Sequence, residues 1–224
     1  MIISKMTAKL YYYNATGRAN QIRLALAAAN IPFENVNATY PPSSEQRKTW
    51  TDIGMNTTTN VPMLVLADGA VFTQSTAVLR AVARMGDGKL MPTNNKDMYM
   101  VDKILADCED LRSLAYSSFV AFGAPQSKAD DYIANGFAKH VGNLERQLGD
   151  NDFFLGSTFS IIDISVYDVI TNMGTSVIPG DCLKDFPKIK ALIKKVEEQP
   201  KIATYLASEQ CTAIPKFVPA LLGK

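Results

Sequence analysis

Histidine and cysteine are scarce in this sequence. One histidine, His140, and three cysteines, Cys108, Cys182 and Cys211, stand among 224 residues. A single histidine excludes a His-based triad and a multi-histidine metal site, and no metal is expected. The cysteines are far apart, odd in number and form no CxxC pair, which argues for a reducing compartment rather than a disulfide framework. They read as buried fillers, and His140, near the apolar stripe of its helix, as a structural residue. Excess charge is lacking too: 23 Lys+Arg against 22 Asp+Glu leave a net +1. With no basic run, nucleic acid is not an expected partner. No apolar run approaches the ~18 residues of a membrane span, so no membrane partner is expected. The stretch Met1-Ile-Ile-Ser-Lys-Met-Thr-Ala8 lacks the apolar core of a secretion signal, and the expected location is the cytoplasm.

What is present is ordinary globular composition, 47% hydrophobic and 20% charged. The length suits two domains. From Lys9 to Met85 strand and helix patterns alternate. Lys9–Tyr13 is a short aromatic strand, and Gly17-Arg18 opens a helix carrying Ile22, Leu24, Ala25 and Leu26 to a cap at Asn30. Phe33–Asn37 is a second strand, and a short helix lies around Glu45–Ile53. Pro62–Leu66 and Ala70–Thr73 flank Asp68-Gly69, a tight hairpin dipeptide. A helix from Ser75 to Met85 completes the order βαβαββα. Gly86–Pro92 is linker-like. Beyond it the apolar spacing is helical throughout. Met98 to Phe119, Ile133 to Leu148, Ser160 to Met173, Pro187 to Gln199 and a short piece from Pro200 to Ser208 form an all-α bundle. The expected domains are therefore residues 1–85, a linker at 86–92, and an all-helical domain at 93–224.

Three segments carry chemistry. In Tyr11-Tyr12-Tyr13, strand alternation puts Tyr12 on one face and its neighbours on the other. Asn60-Val61-Pro62-Met63 places a proline at a strand start, where its missing donor is tolerated. In Thr73-Gln74-Ser75-Thr76, Ser75 is an N-cap candidate for the following helix, whose start favours a carboxylate. Each has a plain structural alternative: core aromatics, a loop proline, an ordinary capping serine. In this order and at this spacing, however, they resemble the tyrosine-type cytosolic glutathione transferases, nearest the sigma/alpha side. There a Leu-aromatic-Tyr-aromatic strand is followed by a loop and Gly-Arg opening the first helix. The resemblance covers nearly all of Lys9–Ser208.

The resemblance implies an α/β thioredoxin-like N-terminal domain followed by an all-α helical bundle domain. It also implies glutathione as co-substrate, a small-molecule electrophile as partner, and a homodimer. Tyr12 becomes the catalytic tyrosine, with Arg18 beside it as a second catalytic candidate, although an exposed helix-start arginine is the alternative. Glutathione would be held by Tyr12, Trp50, Lys48, Asn60, Val61, Pro62, Gln74, Ser75 and Asp102. Pro62 would follow a cis bond that lets Val61 pair with the cysteinyl backbone, and Gln74-Ser75 would hold the γ-glutamyl carboxylate. Asp102 would reach into the neighbouring subunit. The glycyl end is the weak point, because Arg47 and Lys48 precede Trp50 where related patterns place the lysine after it. Trp50 has core packing as its alternative, and Asp102 a solvated helix face. The electrophile pocket candidates are Tyr13, Leu105, Cys108, Arg112 and Tyr116. Gly156 to Asp163, with Phe159 and the capping box Ser160-Ile-Ile-Asp163, matches a folding signature of the family.

The implied chemistry is adequate in magnitude. A free thiol has a pKa of about 8.5, and lowering it by about 2 units needs roughly 3 kcal/mol of preference for the anion. A hydrogen bond to a charged group supplies about 1.5–3 kcal/mol, and a helix N-terminus about 0.3–1 kcal/mol. No base is required. Two neighbouring readings stand beside the conjugating transferase: a glutathione-dependent isomerase or peroxidase of the prostaglandin-synthase kind, and a non-catalytic crystallin-like relative. The retained Tyr12, Gln74, Ser75 and Asp102 argue against the last. The apolar tail Ile214–Gly223 is expected either to cover the electrophile pocket or to pack on the back of the bundle.

Overall fold

The computed structural model describes residues 7–53, 60–87 and 89–217. It divides into two compact units, residues 1–90 with 204–215, and residues 91–203 with 216–224. The return of 204–215 to the first unit is not visible in the helical spacing of that stretch.

The first unit is built on a four-stranded sheet in the order β2-β1-β3-β4. β1 (Ala8–Tyr13) pairs parallel with β2 (Phe33–Ala38) and antiparallel with β3 (Met63–Val65), which pairs antiparallel with β4 (Val71–Thr73). The parallel pair needs a crossover. It is α1 (Asn20–Ala28), entered through one 3-10 turn at Gly17–Ala19. Ile22, Leu24, Ala25 and Leu26 are fully buried, so α1 is an interior helix. Asn30, at φ +58°, takes the left-handed conformation that ends such a helix. α2 (Ser44–Asp52) starts on a reciprocal Ser43–Gln46 capping box. The β3–β4 hairpin turns on Gly69 at φ +88°, with Asp68 Oδ1 accepting the Ala70 N–H at 3.0 Å. α3 (Ser75–Val82) is shorter than its apolar pattern. Gly86, at φ +66°, follows, and a Cβ there would lie 2.1 Å from the Ala29 carbonyl oxygen. This unit is thioredoxin-like, as expected.

The second unit is helical. α4 (Asn95–Ser118) is capped by Asn94, whose Oδ1 accepts the Asp97 N–H at 2.9 Å. It packs mainly on α7 (Ile161–Ile170), every residue of which is buried. The stretch expected as one helix from Ile133 begins earlier and is interrupted. α5 (Gln126–Asp131) runs into a π-turn (Tyr132–Gly136) and then α6 (Phe137–Leu148). α7 likewise ends in a π-turn (Thr171–Thr175). The two π-turns are linked: the Tyr132 hydroxyl donates to the Met173 carbonyl at 2.5 Å, and a Cβ at Gly174 would sit 2.3 Å from the Phe137 ring. α8 (Pro187–Glu197), α9 (Pro200–Leu206) and the brief α10 (Glu209–Thr212) follow. The capping box is present: Asp163 accepts the Ser160 N–H at 2.8 Å and the Phe154 N–H at 3.0 Å. Among the described residues no helix is long and apolar enough to cross a membrane.

Candidate functional site

Three aromatic residues end β1, and the pleat sorts them. Ala8, Leu10 and Tyr12 are buried on one face. Tyr11 and Tyr13 lie on the other, against a cluster of Ala38, Trp50 and Met63. Trp50 is thus a core residue of this outer cluster, 6.2 Å from Tyr13 ring to ring. Tyr40, which is exposed, meets Tyr13 edge-on at 5.1 Å.

Tyr12 reaches past its strand to the start of the crossover helix. Its hydroxyl oxygen accepts the Arg18 backbone N–H at 2.9 Å. One lone pair of that oxygen is therefore taken, while its proton is available to donate elsewhere. The fit requires glycine at position 17: the backbone stands at φ +41°, and a Cβ there would lie 2.5 Å from the Tyr12 oxygen. Burial pushes the Tyr12 phenol above its ordinary pKa, against the lowering pull of the Arg18 N–H and of the Arg18 and Arg23 charges. At neutral pH the group is a protonated donor.

The peptide bond between Val61 and Pro62 is cis, as expected, and so is Tyr40–Pro41, which was not foreseen. Pro62 is buried, Val61 half-buried and Asn60 exposed, immediately before β3. Gln74 and Ser75 stand at the start of α3, with the cap one position earlier than expected. Gln74 is the cap residue, at φ +70° and ψ 111°, and Ser75 is the first helical residue. A non-glycine residue in that conformation is strained, and such strain collects at functional sites. Ser75 is therefore not the N-cap.

Other expected site residues are placed differently. Lys48 is exposed and pairs with Asp52 one turn along α2, while Trp50 faces inward. Arg47 is the cation whose charge is felt by the Tyr13 phenol. In the second unit Asp102 lies exposed on α4. Leu105, Cys108 and Arg112 share one stripe of α4 and are interior, so they do not form a pocket wall. That stripe faces α7: Arg112 pairs with Asp168 at 2.7 Å, and Cys108 interacts with Ser165, its thiol raised by burial to about 12. Cys182 and Cys211, read as buried, are half-exposed. Tyr116 is half-buried in an aromatic group with Phe119, Phe122 and Phe217. In the first unit the Pro215 carbonyl accepts the Thr16 N–H at 2.9 Å. The apolar tail from Val218 onward lies outside the described residues. Among the described residues no group of three or more metal-ligating side chains occurs.

The sequence reading missed Arg23, which is fully buried beneath the Tyr12 ring. The signal was a lone charge inside the apolar run Ile22-Arg23-Leu24-Ala25-Leu26.

Comparison with known proteins gives the family. Residues 8–84 match the family model for the glutathione S-transferase N-terminal domain, and residues 109–209 match that for the C-terminal domain. Glutathione S-transferase P 1 of Bufo bufo is 28% identical over 205 residues, covering 89% of this chain and 91% of that one. Glutathione S-transferase Mu 3 of Homo sapiens is 27% identical over 213 residues, 92% of this chain and 90% of the other. Among solved structures, the Pi-class glutathione S-transferase of Onchocerca volvulus superposes with a TM-score of 0.76 at 21% identity, over 94% of this chain and 97% of that one. Rat hPGDS complexed with a quinoline gives 0.75 at 23% identity, over 89% and 96%. The two solved structures speak for the fold, and with both domain models matched in order the chain belongs to the glutathione S-transferase family.

Proposed function

We propose that the protein is a tyrosine-type glutathione transferase in which Tyr12 stabilises the glutathione thiolate for attack on an apolar electrophile. The observation that carries this reading is the Tyr12 hydroxyl itself. It is held at a helix start by the Arg18 N–H and kept protonated by burial, so it has one proton to give. A thiolate set there would receive a charge-assisted hydrogen bond of about 1.5–3 kcal/mol, and the cationic Arg18 adds to the field. Val61 beside Pro62 would pair with the cysteinyl backbone as an added strand, and Gln74 with Ser75 would hold the γ-glutamyl carboxylate at the start of α3. The Leu-aromatic-Tyr-aromatic string keeps the chain nearest the sigma/alpha side. Arg47 and Lys48, both exposed on α2, are the candidate cations for the glycyl carboxylate.

A conjugation assay with a generic aryl halide tests the activity, run beside isomerase and hydroperoxide assays. Conjugation dependent on glutathione and lost in Tyr12→Phe supports the transferase. Turnover in the isomerase or peroxide arm alone would replace it with the neighbouring chemistry. Inactivity in all three, with no glutathione binding, would overturn the reading.

A further inference from the structure

A buried arginine is costly to desolvate unless its donors are met. The Arg23 side chain is 0% exposed. Its Nε donates to Asn35 Oδ1 at 2.8 Å, and its Nη1 donates to the Ala15 carbonyl at 2.9 Å and the Thr16 carbonyl at 3.2 Å. Its Cζ lies 5.9 Å from the centroid of the Tyr12 ring. These contacts converge on one object. Ala15 and Thr16 form the loop that leads into Gly17 and Arg18, and it is Gly17 that clears the Tyr12 hydroxyl and Arg18 whose N–H binds it.

We infer that Arg23 is a positioning residue for the Tyr12 hydroxyl, clamping the 15–16 loop from below so that the Arg18 N–H occupies one face of the phenol oxygen and the phenol proton points outward. The inference rests on the proposed role of Tyr12. The planar fork matters as much as the charge. Three donors in fixed directions reach two loop carbonyls and a β2 side chain at once, which a lysine ammonium on a flexible stem does not reproduce. The charge acts as well, drawing down the Tyr12 phenol from beneath its ring. Other groups lie in the same field. The Arg18 charge draws the Tyr12 phenol down and Tyr13 raises it, and the Tyr205 phenol and Cys211 thiol of the returning segment are drawn down by Arg23 while burial raises them.

The test is a double-mutant cycle read on the bound thiol. The thiolate absorbance of the glutathione complex is titrated against pH in wild type, Arg23→Lys, Tyr12→Phe and the double variant, with thermal midpoints recorded beside it. The expected result is a rise of about one pKa unit in Arg23→Lys, roughly a threefold loss of thiolate at neutral pH if the bound thiol starts at about 6.5. Glutathione affinity should be nearly unchanged, and no further rise should appear when Arg23→Lys is added to Tyr12→Phe. A lowered thermal midpoint with a wild-type thiol titration makes Arg23 a stability residue and overturns the inference. So does a rise that adds in full to that of Tyr12→Phe. If Tyr12→Phe alone leaves the titration unmoved, the reading of Tyr12 has failed rather than that of Arg23. Should Arg23→Lys not fold, Asn35→Ala releases the Nε contact and is read the same way, a smaller rise supporting the clamp and no rise overturning it.

Discussion

At position 17 a single hydrogen atom in place of a side chain decides the geometry of the site. The backbone there is left-handed, at φ +41°, and the space a Cβ would fill lies 2.5 Å from the Tyr12 oxygen. Gly17→Ala therefore meets two penalties, strain and a clash, and is expected to destabilise the fold by about 1–3 kcal/mol. It should also raise the pKa of bound glutathione by moving the phenol. Urea unfolding and thiol titration check this together, and a variant unchanged in both would show that the loop is softer than described. Strand alternation in the sequence separated buried Tyr12 from Tyr11 and Tyr13, as the pleat does, and glycine before a helix marked the start at Gly17-Arg18. Residue-level reasoning from sequence placed Ser75 one position off, since a cap and a first helical residue look alike without dihedral angles. It misread Leu105, Cys108 and Arg112, because their shared stripe on α4 does not say which neighbour the stripe faces.

Elements were legible where their starts are chemically marked. The Ser160–Asp163 box of α7 stands in the structure. The interruption at Tyr132–Gly136 was hidden, because a π-turn keeps the apolar spacing nearly helical while adding one residue. The α7 start makes a pH prediction. Burial holds the Asp163 carboxyl above its ordinary value, at about 6, although the Phe154 and Ser160 donors pull it down. The folded protein thus binds this proton more tightly than the unfolded chain does. The resulting stabilisation is complete below the unfolded value of 3.8 and is lost as pH rises through about 6. Asp163→Asn keeps an acceptor but does not titrate. The stability of wild type relative to Asp163→Asn should fall between about pH 4 and pH 7, by up to roughly 3 kcal/mol. Denaturant midpoints across that range check it, and a difference that stays flat or grows with pH would contradict the burial argument.

For the whole molecule, the division into a sheet-based unit and a helical unit was readable from the change of period after Met85. The return of residues 204–215 to the first unit was not, because a short helix carries no mark of which core it joins. The family resemblance implies a homodimer in which Asp102, exposed on α4, serves the neighbouring subunit's glutathione. Sedimentation at micromolar concentration should give twice 24.5 kDa, and Asp102→Asn should weaken glutathione binding without moving the thiol titration. A fully active monomer would remove the shared site. The central claim is narrower: one phenol proton, delivered by the register of β1, stabilises the thiolate. The most direct test titrates the thiolate absorbance of bound glutathione in Tyr12→Phe beside Tyr11→Phe and Tyr13→Phe. The account predicts a rise of about 1–2 pKa units in Tyr12→Phe alone, the loss of one charge-assisted hydrogen bond. An unchanged titration in Tyr12→Phe, with a shift in either neighbour, would contradict it.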